Sequence, residues 1–366
     1  MTNRIWLMVL TATAGAMLSG QSAKGADLAI QSFDNHGQLT FCGISNASQY
    51  ATGYRIEWAS AAGGPWTNWS AALTNDSVPA PANGTGSVTV LVPMFYRVVA
   101  SVTNPAPSGM VLINAGNNSG SDPDFGAYNL TVSAFYMDKY LVTKSLWDEV
   151  YTWAIAHGYT FANAGSGKAA NHPVHTVSWH DCAKWCNARS EKEGRPVSYR
   201  VAGNVYRGTD DNSVTCATNV AGYRLPTDVE FHYAARGGLV GKRFPWGDTI
   251  DHTKANYYGY PASSGGYAYD TGYVGYDTRF STTGYPYTSP VDTFAANGYG
   301  LYDMAGNLWE WCTDWYPGYE GSYRVFRGGS WYYRYAYYCR VGLRLYDYPG
   351  HAHNGIGFRA VLPPGQ

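Results

Sequence analysis

The stretch Asn297–Tyr316, NGYGLYDMAGNLWEWCTDWY, decides how the chain reads. Glycine, tyrosine, tryptophan, asparagine and aspartate follow one another at short irregular spacing. Neither the 3.6-residue period of an amphipathic helix nor the alternation of a half-buried strand is present. The same texture fills nearly everything after Gly237. A segment this long is more than a connection inside a compact domain, so either the fold is itself irregular or the segment binds something. Composition agrees, since 14% of the 366 residues are charged, 16% are aromatic and 43 are glycine. Order in such a chain comes from aromatic packing rather than from long helices. The aromatics concentrate downstream: Trp331–Gly350 holds seven tyrosines in twenty residues, where an even spread of 33 would place about two.

Upstream, three helices follow from their ends and periodicity. The first is KSLWDEVYTWAIAH after Thr143, with Leu146, Val150, Trp153 and Ala154 on one face and Gly158 as its stop. The second is DCAKWCNARS from Asp181, in which Cys182 and Cys186 stand one turn apart beside Trp185 and read as a core stripe. The third, DVEFHYAAR from Asp228, is the best marked. Thr227 and Glu230 form a capping box at its start, and Gly237 follows its last turn.

Before Met110 the pattern is different. Residues 27–105 carry short alternating segments, YRIEW (54–58), SVTVLV (87–92) and FYRVVA (95–100), separated by clusters such as AAGGPW and PAPANGTG. That is the pattern of a small antiparallel β-sandwich, a recognition module or a spacer with no titratable cluster of its own. TNPAPSG (103–109) reads as a linker. Residues 1–26 read as a secretory signal peptide: Arg4 precedes the apolar run IWLMVLTATAGAML, and Ala23 and Gly25 stand three and one places before the cut. The expected product is secreted or periplasmic. No other run reaches about eighteen apolar residues, so no membrane span is expected. Loss of Arg4 and Lys24 takes the formal charge from -1 to -3, a balance that offers nothing to nucleic acid or anionic lipid. Six cysteines in an oxidising compartment leave room for one or two disulfides, with pairing open.

Seven blocks stand in a fixed order: AFYMDKYLVTK (134–144), HPVHTVSWHDCAKWCN (172–187), YRLPTDVEFHYAARGG (223–238), RFPWGD (243–248), the opening stretch, RGGSW (327–331) and GFRAV (357–361). Over residues 110–362 they resemble the sulfatase-modifying-factor family, whose best-known members are the formylglycine-generating enzymes. The resemblance implies an α+β fold, C-type-lectin-like, with little regular secondary structure, behind the N-terminal all-β sandwich. It also implies calcium, held by the Asp303 side chain, the carbonyls of Gly306 and Leu308, and the Glu310 carboxylate, all hard oxygen donors. A second, weaker calcium site would use Asn256 and the carbonyls of Tyr257 and Tyr285. Thr283 stands there in place of the family's aspartate, and affinity falls with ligand charge.

The family's oxidation chemistry resembles this chain less closely. Formylglycine-generating enzymes hold Cu(I) between two cysteine thiolates, and the matching positions here are Tyr333 and Tyr338. A phenol is a hard, mostly protonated donor near neutral pH and does not replace a thiolate. Cys339 is one residue beyond the second position, and a slip of the shortened loop could bring it in. A Cys312–Cys339 disulfide is the expected use of both sulfurs. Ser330 and Trp309 match family residues beside the oxygen and thiol site, although both also serve the fold. His172 and His175 read as structural histidines.

Two functions of different class follow. In the first, a calcium-stabilised lectin-fold protein binds a peptide or glycan ligand through Tyr332, Tyr333, Tyr335, Tyr337 and Tyr338, because tyrosine gives rigid amphipathic contact area at low entropic cost. Gly328–Phe358 also resembles the variable end of lectin-fold proteins diversified by retroelements. In the alternative, a copper oxidase uses molecular oxygen to convert a sulfatase cysteine segment to formylglycine, with Cys339 as copper ligand and Ser330 and Trp309 shaping the pocket. Copper is required only in the second.

Overall fold

The structure, a computed structural model, describes residues 107–364 throughout. Before them it describes the strands Ala29–Phe33, Gln38–Cys42, Ser45–Asn46, Gln49–Ala59, Thr67–Asn68, Thr85–Thr89 and Phe95–Val102. The chain divides into two compact units, Met1–Pro105 with Gly365–Gln366, and Ala106–Pro364. In the first, Ala29–Phe33, Gln38–Cys42 and Thr85–Thr89 pair as an antiparallel sheet. Gln49–Ala59 pairs with Ser45–Asn46, Thr67–Asn68 and Phe95–Val102. The side-chain packing that would make these sheets a sandwich, and the expected signal peptide, lie outside the described residues.

The second unit opens with β1 (Met110–Ile113), β2 (Gly116–Asp122), β3 (Gly126–Val132) and β4 (Phe135–Asp138). Strands β2 and β3 form a hairpin, while β4 lies between β1 and the C-terminal strand Val361–Leu362, so the two ends of the unit are tied in one sheet. Helices α1 (Lys144–Ala156), α2 (Trp179–Lys192) and α3 (Asp228–Ala235) follow. Each begins at a hydroxyl cap: Thr143, Ser178 and Thr227 accept from the backbone amides of Leu146, Asp181 and Glu230. A second sheet joins β5 (Trp309–Trp315), β6 (Arg324–Arg327) and β7 (Leu345–Asp347), with Ile356–Gly357 parallel to β5. No helix among the described residues is long and apolar enough to cross a membrane.

Tryptophans make the core between helices and sheet. Trp147 and Trp185 stack with ring centroids 6.0 Å apart and planes 2° from parallel, and Phe358 sits edge-on to both. Their polar edges serve the irregular backbone, as Trp147, Trp185, Trp179 and Trp311 donate indole N–H groups to the carbonyls of Ala164, Trp147, Cys312 and Val177. Trp309 is the exception: its indole N–H is buried without a partner.

Two details of the helices differ from the sequence reading. Helix α2 starts at Trp179 rather than Asp181, because Asp181 acts as the third helical residue of a capping box on Ser178. The buried face of α1 carries Trp147, Val150 and Ala154, whereas Trp153 lies partly exposed with its ring stacked on His157. Cys182, Trp185 and Cys186 are fully buried, as a core stripe requires.

Candidate functional site

A glycine pair sets the site. Gly328 and Gly329 have φ of +93° and +79°, and a Cβ on Gly329 would stand 2.7 Å from the Tyr338 carbonyl oxygen. Only glycine allows this left-handed turn and so close an approach of two backbones. The turn folds the chain after β6 back on itself, and the residues beyond it return over Trp309.

There Tyr333 and Tyr338 meet, with ring centroids 5.3 Å apart and each 6.1 Å from the Trp309 ring. Ring contacts continue from Tyr332 to Tyr333 (5.4 Å), from Tyr338 to Tyr337 (5.3 Å), to Tyr267 (6.0 Å) and on to Tyr335 (6.1 Å). The result is an arc of phenols. It does not present one uniform surface. Tyr332 is 38% exposed, while Tyr333, Tyr337 and Tyr338 are half-buried against the main core and Tyr335 is half-buried beside Tyr260. Tyr335 has φ of +96°, an unfavourable backbone for an aromatic residue. Such strain persists only where its surroundings impose it, and here the Tyr335 amide donates to the Tyr258 carbonyl while Arg334 lies 4.0 Å over the Tyr260 ring.

Ser330 is buried, and its hydroxyl accepts from the Tyr332 amide (3.2 Å). His353 flanks the other end of the arc, 4.7 Å from the Tyr332 ring. Its Nδ1 accepts from the Gly355 amide, which leaves the proton of the neutral ring on Nε2. His175 is buried in the preceding layer with Nε2 unpartnered, and desolvation, followed by the neighbouring His353, pushes its pKa down to about 4.

The sulfurs lie elsewhere. Cys339 is buried among Phe244, Ile250, Ala255 and Tyr257, whereas Cys312 lies in β5 in a different cluster with Ile113, Phe231 and Val325. Both are free thiols, so the expected disulfide between them is not formed. Burial pushes both thiols well above the ordinary range, and an apolar setting of that kind opposes the thiolate that copper needs. Among the described residues no pair of thiols is brought to the arc, and the donor set does not fit Cu(I).

The Asp303–Glu310 turn reads differently. Asp303 and Asn307 both have positive φ, and a Cβ on Gly306 would stand 2.6 Å from the Asn256 carbonyl oxygen. The Gly306 amide donates to Gly328 O and the Asn307 amide to Asn256 O, which binds the turn to the glycine pair of the arc. Asp303 is buried and neither carboxylate oxygen receives a hydrogen bond. Desolvation pushes its pKa well up and Glu310 adds to the rise, against lowerings by Arg359 and by the neighbouring Asn307 side chain. Glu310 is gripped by Arg359 through Nε (2.7 Å) and Nη2 (2.8 Å). An orphaned carboxylate in a glycine turn is the donor type a hard cation such as calcium takes, while Glu310 is bound through both oxygens by Arg359 and, among the described residues, no cluster of three or more His, Cys, Asp or Glu side chains gathers as a metal site.

Around the residues expected at the weaker calcium site, the side-chain contacts are of another kind and involve none of the expected carbonyl donors. Asn256 donates its amide to Tyr287 O (2.8 Å), the Tyr257 hydroxyl donates to Asp270, and Tyr285 is exposed with its hydroxyl accepting from Asn354. The loop that carries Tyr285 already holds a cation. Lys168 Nζ stands 2.7 Å from Thr283 Oγ1 and Gly284 O, and 3.2 and 3.3 Å from Pro286 O and Phe280 O. Lys168 carried no signal in the sequence, and Arg359 stood inside the GFRAV block with no role assigned to it.

Known proteins resemble the chain at this level. A family model described as a sulfatase-modifying factor enzyme 1-like domain matches residues 96–363. A chaperone protein, LppX, of Paenibacillus barcinonensis is 30% identical over 73% of this chain and 95% of its own. The formylglycine-generating enzyme of Mus musculus is 29% identical over 70% and 74%, and the mouse protein named inactive C-alpha-formylglycine-generating enzyme 2 is 30% identical over 71% and 85%. Among solved structures, Treponema denticola variable protein 1 aligns with a TM-score of 0.52 at 27% identity, covering 72% of this chain and 98% of that one.

Proposed function

The chain belongs to the sulfatase-modifying factor family, and on that footing we propose that it is an exported ligand-binding member in which a phenol arc occupies the place of a copper centre. The Tyr333–Tyr338 contact of 5.3 Å over Trp309 carries this reading. The two positions that the family resemblance matches to the thiolate pair lie side by side, which supports the reading of a site whose donors have changed. Burial raises the Tyr333 phenol further from ionisation, which removes it from soft-metal chemistry.

What remains is a stiff aromatic mouth. Tyr332 is partly open to solvent, and the rings around it hold it at little further entropic cost. Calcium at Asp303, when bound, supplies the positive charge that the buried carboxylate lacks and so stiffens the turn beneath the glycine pair. The ligand is read as a peptide segment rather than a glycan at this mouth, because relatives include one named a chaperone protein and one named an enzyme that generates formylglycine. The relative named inactive supports the idea that the fold outlives the oxidation chemistry.

Selection from a random-sequence peptide library on the calcium-loaded full chain tests the proposal. Selected peptides are expected to lose about tenfold in affinity for Tyr332→Ala. Selected peptides that bind Tyr332→Ala as well as the parent would remove the arc from the binding surface.

A further inference from the structure

A second groove, built from residues outside the tyrosine arc, carries its own chemistry. We propose that it binds a neutral pyranose-containing glycan. The groove has a volume of about 660 Å³ and is lined by His180, Asp210, Asp211, Asn212, Ser322 and Tyr348 among others. Its polar wall is fixed in place. His180 lies at the floor, nearly fully buried, with Nδ1 accepting from the Tyr206 hydroxyl (2.8 Å) and Nε2 donating to Asn212 Oδ1 (3.1 Å). The Asn212 amide nitrogen crosses to the opposite wall and donates to Gly321 O (3.0 Å). One side chain thereby ties both walls together, so the groove is preformed and binding would order little.

Charge restricts the occupant. Buried Lys184 donates to Asp210 Oδ1 (2.8 Å) and to Gly208 O, so that carboxylate is already compensated. Asp211 has no ion pair among the described residues, and one of its oxygens accepts from the Ser213 amide (2.7 Å). No uncompensated cation lines the groove, a poor setting for sulfated or phosphorylated ligands.

The other wall is aromatic. Tyr348 is 59% exposed and is held by a hydrogen bond from the Tyr323 hydroxyl to its own (2.9 Å). Outside the groove, Tyr323 and Tyr346 (4.9 Å), then Tyr346 and Tyr316 (4.4 Å), with Tyr319 stacked on Tyr346 at 5.8 Å, back this ring. A pyranose ring has one face of C–H groups that packs on a tyrosine ring and an edge of adjacent hydroxyls that pair with carboxylates, amides and hydroxyls. An aromatic platform beside Asp210, Asp211, Asn212 and Ser322 meets both demands at once. A cationic side chain would be better served by several rings closing around it, whereas a single ring lines this open groove.

The test titrates the full chain with xylohexaose, cellohexaose, mannohexaose and chitohexaose, and with a sulfated heparin hexasaccharide, followed by saturation-transfer NMR at millimolar sugar. At least one neutral hexasaccharide is expected to bind. Tyr348→Ala and Asp211→Asn should each weaken it about tenfold, with Tyr332→Ala unchanged and the melting temperature of all three variants near that of the parent. Absence of binding by all four neutral sugars overturns the proposal. So does preference for the sulfated sugar, or dependence on Tyr332 rather than Tyr348. Because the two sites share no residue, failure here leaves the peptide reading of the arc standing, and the converse also holds.

Discussion

At the Asp303–Glu310 turn a carboxylate is buried with no donor to either oxygen, whereas in the loop 280–286 four oxygens converge on the ammonium of Lys168. Both places crowd oxygen atoms together without enough amides to satisfy them. The turn leaves a buried carboxyl group without a hydrogen-bond donor. The loop carries its cation on a side chain, and burial with no carboxylate beside it pulls the Lys168 pKa down. On the proposed reading, the turn is completed by a metal ion, whereas the loop is served by a lysine of the chain itself. A lysine gives up adjustable coordination and gains a charge that no chelator can remove.

Four changes break or sharpen this contrast, taken from the largest effect to the smallest. Arg359 is fully buried, holds Glu310 with two bonds and donates to the carbonyls of Asp138, Lys139 and Tyr302. Arg359→Met strands Glu310 and should cost about 3–5 kcal/mol in chemical denaturation. A loss below about 1 kcal/mol would mean that the turn's charge is balanced by some other group.

His175 gives a buried, unsatisfied group of opposite sign. Its folded pKa of about 4 lies below the ordinary 6.5, so the unfolded chain binds more protons between those values. Stability from this residue is therefore full above about pH 6.5 and is lost as pH falls towards 4, by up to about 3 kcal/mol. Urea unfolding of the parent against His175→Gln over that range measures the difference, and parallel curves would remove His175 from the account.

Calcium should stabilise the chain by about 2.7 kcal/mol at a hundredfold excess over its Kd, and Asp303→Asn should abolish the increment. Without calcium, the raised pKa of Asp303 makes its contribution present at low pH and lost as pH rises through the folded value. The calcium increment should thus be small in acid and grow towards neutral pH in thermal melts. An increment independent of pH would place the ion elsewhere. The smallest effect belongs to Lys168→Met, expected to cost about 1–3 kcal/mol from the loss of its bonds while calcium content stays at one ion per chain. Two ions per parent chain by elemental analysis would show that the lysine has displaced nothing.

Much of this was legible where the causes are local. Thr143, Thr227 with Glu230, and Gly158 mark helix ends through neighbours a few residues away, and the structure places them there. Ser178 was missed because its reciprocal partner is Asp181 rather than the glutamate of the usual pattern. Strand β5 did not alternate because both of its faces are buried from Trp309 to Thr313. The meeting of Tyr333 with Tyr338 follows motif positions, whereas the grip of Lys168 on Thr283 spans 115 residues without a local trace, and that of Arg359 on Glu310 joins two quoted blocks 49 residues apart whose pairing no local pattern reveals. The disulfide expectation for Cys312 and Cys339 failed for the same reason, since sequence proximity to one block does not say which core cluster a side chain enters.

The central claim is that phenols stand where turnover would need sulfur, and mass spectrometry of a sulfatase-derived cysteine peptide tests it most directly. The peptide is incubated with the full chain, Cu(I), a thiol reductant and oxygen, beside a formylglycine-generating enzyme as positive control. This account predicts a peptide of unchanged mass from the chain. A product lighter by about 18 mass units, hydrogen sulfide lost and one oxygen atom gained, would contradict it.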